Sequence, residues 1–203
     1  TGDYSGLKLL TFYLSYRAMV RAKVAILQKK DPSLYIELAK TFTLPKKNGI
    51  SITYGLSGSG KSFTSSRLME EIPAIRIRSD VERKRILKNS TDIYSWEKIG
   101  EIYSILLQHA KEILEAGFSV IVDATFLKKE HRDSFKVLAE KFSADFSILD
   151  FECPVEVLES RIRSRMAAGF DPSDADINVL HTQIAAREKL TADEIRYAKR
   201  MPP

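Results

Sequence analysis

Between residues 55 and 62 the chain reads Gly-Leu-Ser-Gly-Ser-Gly-Lys-Ser: a glycine, four residues, then Gly-Lys-Ser. An apolar run from Ile50 to Tyr54 precedes it, and a helical pattern from Lys61 to about Glu71 follows. A strand that passes through glycines straight into a helix has few ways to fold. Its backbone must curl so that several N–H groups converge, which needs unusual dihedrals and no side-chain bulk, as Gly55, Gly58 and Gly60 allow. The helix behind the loop aims its positive end at the same point. The arrangement suits a polyphosphate, with Lys61 offering an ammonium to the β- and γ-phosphates and Ser62 a hydroxyl to Mg²⁺. Ser57 and Ser59 complete the candidate nucleotide-binding loop. The competing reading is a flexible Gly-Ser turn; the strand before and the helix after argue against it.

The rest of the chain supplies matching elements. Ala74 to Ile77, Phe118 to Val122 and Phe146 to Phe151 read as further strands, the middle one almost continuously apolar, as burial on both faces requires. Between them run helical periods. Ser95 to Ala116 carries Trp96, Ile99, Tyr103 and Leu106 on its packed stripe and is closed by Gly117. Lys129 to Phe142 is a second, and Pro154 to about Ala168 a third. Ser173 with Asp176 resembles a capping box that opens a last helix, Ala175 to Arg187. Strands alternating with helices predict an α/β, three-layer architecture around a parallel sheet. The closing Arg200-Met201-Pro202-Pro203 shows no clear fifth strand.

In such a sheet, residues just past the strand C-termini line the ligand crevice. Arg78-Ser79-Asp80-Val81-Glu82-Arg83 falls there. Asp80 either accepts a proton from an attacking hydroxyl, with Arg83 anchoring an anionic group, or caps a solvated helix; spacing leaves both open. Asp123, closing the apolar Val120-Ile121-Val122, is placed to hold Mg²⁺ through water, the other reading being a buried carboxylate that satisfies turn N–H groups. Arg161 and Arg165 share one helix face, while Arg163 lies on another, with Glu156 and Glu159 as ion-pair partners. His109, His131 and His181 show no ligand spacing with one another or with Cys153 and read as ordinary helix residues.

Together, Gly55 to Ser62, Arg78-Ser79-Asp80, Val122-Asp123-Ala124-Thr125-Phe126 and the arginine-bearing helix resemble the P-loop kinase group, the predicted-kinase or AAA-type ATP-binding domains that include polynucleotide-kinase-like and zeta-toxin-like proteins. The resemblance spans about residues 50–190. It implies a P-loop NTPase fold over 49–203 with a lid near 155–176, ATP and Mg²⁺ as cofactors, and transfer of the γ-phosphoryl to a hydroxyl of an unidentified acceptor. It implies Asp80 as general base, Arg83 as a contact to a substrate phosphate, Arg165 as a lid arginine and Arg132 as a substrate contact, with Thr125 and Arg161 as further candidates. The stretch Asp171 to Asp176 is similar to the group's Asp-Ala-Ser-Glu-Ala-like segment and departs from it at Pro172 and Asp174. Two rivals stand beside this reading. One is a polynucleotide 5′-hydroxyl kinase, which needs a basic groove with stacking aromatics beside Asp80. The other is a non-catalytic ATP-binding module that regulates an attached domain. No guanine-selecting Asn-Lys-x-Asp occurs.

Residues 1–48 form a basic segment, two helices over 7–28 and 33–40 and a linker through Pro45. The first helix has Leu7, Leu10, Leu14 and Ala18 as its packed stripe, widened by Tyr13, Val20, Val24 and Leu27. Thr1-Gly2-Asp3, Phe12-Tyr13, Tyr16-Arg17-Ala18 and Val20 to Val24 resemble the end of an aminoglycoside-phosphotransferase-like domain, which implies a missing N-terminal partner domain. The first residue is Thr, as expected of a fragment or processed product. The net charge of +5 divides unevenly: residues 1–48 hold 9 Lys/Arg against 3 Asp/Glu, and residues 49–203 hold 23 against 24. The phosphate-loop region is therefore nearly neutral, which weakens nucleic acid as its partner. No apolar run reaches the roughly 20 residues a membrane span needs. A single cysteine, Cys153, excludes an internal disulfide and fits a reducing, cytoplasmic setting.

Overall fold

The computed structural model describes residues 2–44, 47–86, 96–168 and 175–202. The expectations for Ser95, Gly169, Ser173 and the Trp96 side chain lie outside them. The strands are β1 (Gly49–Tyr54), β2 (Ala74–Arg78), β3 (Ser119–Asp123), β4 (Asp145–Asp150) and β5 (Ala198–Arg200). The helices are α1 (Leu7–Leu27), α2 (Ser33–Thr43), α3 (Lys61–Glu71), α4 (Ser79–Ile86), α5 (Trp96–Glu115), α6 (Lys129–Lys141), α7 (Val155–Ala168), α8 (Ile177–Ala186) and α9 (Ala192–Ile195).

The five strands form one sheet in the order β2-β3-β1-β4-β5, with every pairing parallel. β1 sits at the centre because Ile50 and Ile52 are apolar on both sides of the register, opposite Val120 and Val122 on β3 and Phe146 and Ile148 on β4. The chain leaves β1 through α3 toward β2, then returns the other way through α5 to β3. Right-handed crossovers in opposite directions put α3 and α5 on opposite faces of the sheet. α6 joins α5 on its face, and Leu106, Ile113, Phe135 and Ala139 from this pair pack on Ile52, Val120 and Ile148.

The fifth strand corrects the sequence reading. Ala198, Lys199 and Arg200 pair with Ile148, Leu149 and Asp150. Three residues, two of them charged and exposed, leave no period for sequence analysis to detect. An edge strand this short and charged also guards against pairing with other chains.

The N-terminal helices form as expected, but the packed stripe of α1 differs. Ala18, Ala22 and Ala25 are the buried residues, the small face that lets α2 approach closely. Leu10, Tyr13, Leu14 and Leu27 stay exposed. The segment is fastened to the sheet domain by Lys8 to Glu115 at 2.7 Å and by the Tyr4 hydroxyl, which donates to the Glu82 carboxylate at 3.2 Å. Asp176 itself caps α8 by accepting from Val179 N–H at 2.8 Å. Among the described residues, no helix is long and apolar enough to cross a membrane.

Candidate active site

β1 lies between β3 and β4; from it the chain leaves toward β2, and from β3 it crosses the other way past β1 to β4, so the β1 loop opens into the crevice at the sheet's C-terminal edge. A cavity of about 560 Å³ lies there. The loop from Ser57 to Ser62 forms its floor, Asp80 and Arg83 of α4 one wall, and Arg161, Arg165 and α8 the other. Asp123 and Thr125 close it behind. Of the candidate nucleotide-binding residues, Gly55 stays outside the lining; its N–H donates to the Thr125 carbonyl at 3.2 Å and fixes the loop's origin. Gly58 and Gly60 adopt φ of +83° and +89°, where a side chain is strained. A Cβ on Gly58 would also lie 3.0 Å from the Leu158 carbonyl oxygen, so glycine is what lets α7 rest on the loop.

Lys61 opens α3 and is buried. Its ammonium donates to the Leu56 carbonyl at 2.6 Å and lies 3.4 Å from Ser59 Oγ. Burial pulls its pKa down from 10.5 to about 8, although the charges of Asp123 and Asp80 act the other way. That electrostatic coupling and the shared cavity place Asp80 and Lys61 in one cleft. Asp80 sits in the first turn of α4 and pairs with Arg83 one turn later. Asp80 thus stands in the first turn of α4 and lines the same cavity as the glycine loop.

Asp123 is buried at the end of β3 and receives a hydrogen bond from Ser65 Oγ at 3.1 Å. Two arginines on the same side of β2 reach it from the neighbouring strand. Arg76 Nη1 is 4.0 Å and Arg78 Nε 3.5 Å from Asp123 Oδ2. Arg76 also donates to the Ser62 carbonyl at 2.8 Å, and Arg78 Nη2 to Ser62 Oγ at 3.3 Å. Burial lowers the Arg76 pKa. A serine hydroxyl and a buried carboxylate meeting around one cationic group are hard oxygen donors of the kind Mg²⁺ takes, so these residues fit that ion.

The side where a lid is expected is partly described. Arg161 Nη1 donates to the Gly58 carbonyl at 3.3 Å, and Arg165 Nη2 to the Ala175 carbonyl at 2.6 Å. Arg163 is exposed and paired with Glu159 at 3.0 Å, as its face predicted. Residues 169–174 of the expected lid lie outside the described chain. Leu56, Leu158, Ile162 and Leu180 pack together and join α7 and α8 to the loop.

Arg132 does not reach the cleft, contrary to the expectation of a substrate contact. It is 1% exposed and bound through Nε and Nη2 to Glu194 at 2.6 and 3.1 Å, with Nη1 donating to the Phe126 carbonyl at 2.9 Å. Its guanidinium is consumed in tying α6 to the segment that leads into β5. Thr125, by contrast, lines the cavity, 3.4 Å from the Tyr103 hydroxyl.

Several cleft residues were missed by sequence reasoning. Tyr103 accepts a hydrogen bond from Phe126 N–H at 2.8 Å and stacks on His131 with ring centroids 3.9 Å apart. Burial raises the tyrosine's pKa and lowers the histidine's, which keeps both neutral near pH 7. Gln183 of α8 accepts from Ser57 N–H at 2.9 Å and donates to Ser57 Oγ at 3.0 Å, clamping the loop's outer rim. Tyr103 is part of the core as its helical stripe predicts, and it also lines the cleft, which the stripe does not signal. Gln183 carries no local motif that marks it, and Arg78, though it opens the crevice segment in the sequence, carries no role of its own there.

A family model described as an AAA domain matches residues 50–190. An uncharacterized protein of Mycobacterium tuberculosis (strain H37Rv) is 27% identical over 199 residues, covering 87% of this chain and 39% of its own length. The chain therefore spans about two-fifths of the curated relatives it matches. Among solved structures, Kti12 of Chaetomium thermophilum in complex with ADP-AlF3 superposes with a TM-score of 0.59 at 16% identity, over 75% of this chain and 88% of that one. An unliganded sugar kinase of Janibacter sp. superposes with a TM-score of 0.56 at 20% identity, over 76% and 84%. At these identities the likeness is one of fold.

Proposed function

We propose, of a chain that belongs to the AAA domain family through its residues 50–190, that it is an ATP-dependent kinase acting on a hydroxyl acceptor. The observation that carries this reading is that Asp80, Lys61 and the glycine loop line one cavity, with the Asp80 charge acting on the Lys61 ammonium. A loop that only stored nucleotide would have no use for a carboxylate facing the phosphates. The loop backbone and Lys61 would hold the phosphates of ATP. Ser62 and Asp123 would hold Mg²⁺, which when bound supplies charge neutralisation to the phosphate oxygens. Asp80 takes the proton as the acceptor oxygen bonds to the γ-phosphorus, and the bond from phosphorus to the bridging oxygen of ADP breaks. Arg83 orients Asp80 through their ion pair and lines the same cavity. Arg165 and Arg161 approach from the lid, where positive charge lowers the cost of a negatively charged transition state. The fold relatives that carry kinase names lend this reading support. The greater length of the curated relatives, together with the exposed apolar face of α1, supports a further domain, phosphotransferase-like in the resemblance of the N-terminal segment, packed against the basic helices.

The test is a transfer screen with γ-labelled ATP across small alcohols, sugars, nucleosides and polynucleotide ends. Lys61→Ala should lose nucleotide binding. Asp80→Asn should keep nucleotide affinity and lose on the order of 10²–10⁴ in transfer rate, the usual contribution of a positioned base. Full transfer by Asp80→Asn would remove it as the base, and tight binding without transfer to any acceptor would favour a regulatory ATP-binding module.

A further inference from the structure

The position of Arg78 has a consequence for how a metal enters this site. Its guanidinium lies between the two oxygens that the kinase reading assigns to Mg²⁺, with Nη2 3.3 Å from Ser62 Oγ and Nε 3.5 Å from Asp123 Oδ2. β2 and β3 are in register here, Arg78 directly opposite Asp123, so the strands themselves deliver the side chain to this place. Arg76, two residues earlier on the same face, takes a different position. Its hydrogen bonds go to the Ser62 carbonyl and to Ser65 Oγ, which support the helix rather than the hydroxyl. Arg78 Nε is buried and makes no hydrogen bond among the described residues, so the guanidinium is held by charge rather than by a completed set of donors. The side chain also lines the phosphate cavity.

We propose that Arg78 is a positioning residue that competes with the divalent cation for Ser62 and Asp123, so that metal enters this site only together with a polyphosphate. A guanidinium and a divalent cation cannot share the same two oxygens, because like charges at such separations repel strongly in a partly buried site. Free metal must therefore displace the arginine with nothing to receive it. A metal–nucleotide complex brings phosphate oxygens into the same cavity, and a guanidinium is well matched to those. Arg78 thus keeps the serine and the carboxylate aligned and neutralised, then exchanges onto the phosphates as the metal arrives. The inference rests on the kinase reading only for its assignment of Ser62 and Asp123 as metal-holding residues.

Mn²⁺ binding to the nucleotide-free full chain, measured by electron paramagnetic resonance at fixed ionic strength, tests it without reference to turnover. Arg78→Gln should bind Mn²⁺ about tenfold more tightly than the parent protein, the scale of removing a juxtaposed like charge. Adding Asp123→Asn to that variant should abolish the gain. Arg78→Lys should gain only about threefold, since one ammonium cannot span both oxygens. Unchanged Mn²⁺ affinity in Arg78→Gln, or a gain that survives Asp123→Asn, overturns the proposal. Should Arg78→Gln fail to fold, Arg78→Lys decides alone, and no gain there is likewise fatal. A failure of the kinase reading shows separately, as absence of transfer in the acceptor screen with these Mn²⁺ results intact.

Discussion

At the residue scale, Lys61 concentrates the conflict between stability and function. In the kinase reading its ammonium serves phosphates, yet burial holds its pKa near 8 against an ordinary 10.5. The nucleotide-free protein therefore binds fewer protons at this group than the unfolded chain does between those two values, and stability rises with pH through that window. Below about pH 8 the full cost of burying the charge is present, on the order of 3 kcal/mol for a shift of this size. Lys61→Met is expected to raise the Tm at pH 7 while abolishing nucleotide binding, and the Tm gain should shrink as pH rises from 8 to 10; calorimetry across that range checks it. For the parent protein, affinity for a fluorescent ATP analogue should fall as pH climbs past about 8, because the ammonium is then being lost. A flat profile to pH 9.5 would mean that the loop amides, not Lys61, carry the phosphate charge. This residue could be found from sequence because its motif is local: eight consecutive positions specify the loop, the lysine and the helix start. Asp80 and Asp123 were legible for a related reason, each sitting just past an apolar strand. Tyr103, His131 and Gln183 were not placed at the cleft, and Arg78 was placed there without a role, since their contacts join residues that are distant in the chain, as in the Gln183–Ser57 clamp across 126 positions.

At the scale of elements, the four longer strands and the helices α3, α5, α6, α7 and α8 were visible because each carries its own period, whereas α4 was only one of two open readings and β5 was not visible. β5 exists because something upstream places it, and that is the Arg132–Glu194 pair. Glu194 stands in a capping box with Thr191 at the start of α9, and its carboxylate receives the buried guanidinium of α6. Arg132 Nη1 and Nη2 also approach the Glu188 and Lys189 carbonyls at 3.3 and 3.4 Å. The pair therefore fixes the path from α8 into the sheet edge. Burial pushes the Glu194 pKa up, but the hydrogen bonds from Arg132 and Thr191 outweigh it and hold the carboxyl below its ordinary 4.5. Its contribution is present above that value and is lost as pH falls through the lowered one. Glu194→Gln leaves a buried guanidinium without its counter-charge and should cost about 3–5 kcal/mol in urea unfolding at pH 7. Hydrogen exchange should show β5 amides losing protection first, ahead of β1 and β3. Equal loss across the sheet would mean that the pair stabilises the core generally and does not hold the edge in particular.

At the scale of the whole molecule, charge and apolar exposure point to the same region. The basic excess lies in residues 1–48, while residues 49–203 are close to neutral overall. Their cations are placed one by one, at Lys61, Arg78, Arg83 and Arg165 around the cleft. α1 meanwhile buries only alanines and turns Leu9, Phe12, Tyr16 and Met19 outward at 60, 64, 58 and 49% exposure. The helical period was legible in the sequence, but which side of it was packed was not: the leucine–tyrosine stripe has the correct spacing for a core face, and the close approach of α2 is instead made by the small side chains. A row of large apolar residues one turn apart is more than scattered surface exposure, and a contiguous patch of this kind binds apolar ligands. The cleft is built without this face: its lining begins at Ser57, and the contacts that tie the N-terminal segment down run through Tyr4 and Lys8 instead. Replacing Phe12 and Tyr16 together by Ser should therefore lower the fluorescence of an apolar dye bound to the chain by about half or more, while stability changes by only about 0.5 kcal/mol or less per site, as for surface positions. Nucleotide affinity should stay within about twofold, since no contact of the cleft is touched. Dye binding that persists would locate the apolar surface elsewhere. A large loss of nucleotide affinity would show that α1 acts on the site through Tyr4, Glu82 and α4, a hydrogen-bonded path from the N-terminal segment to the helix bearing Asp80.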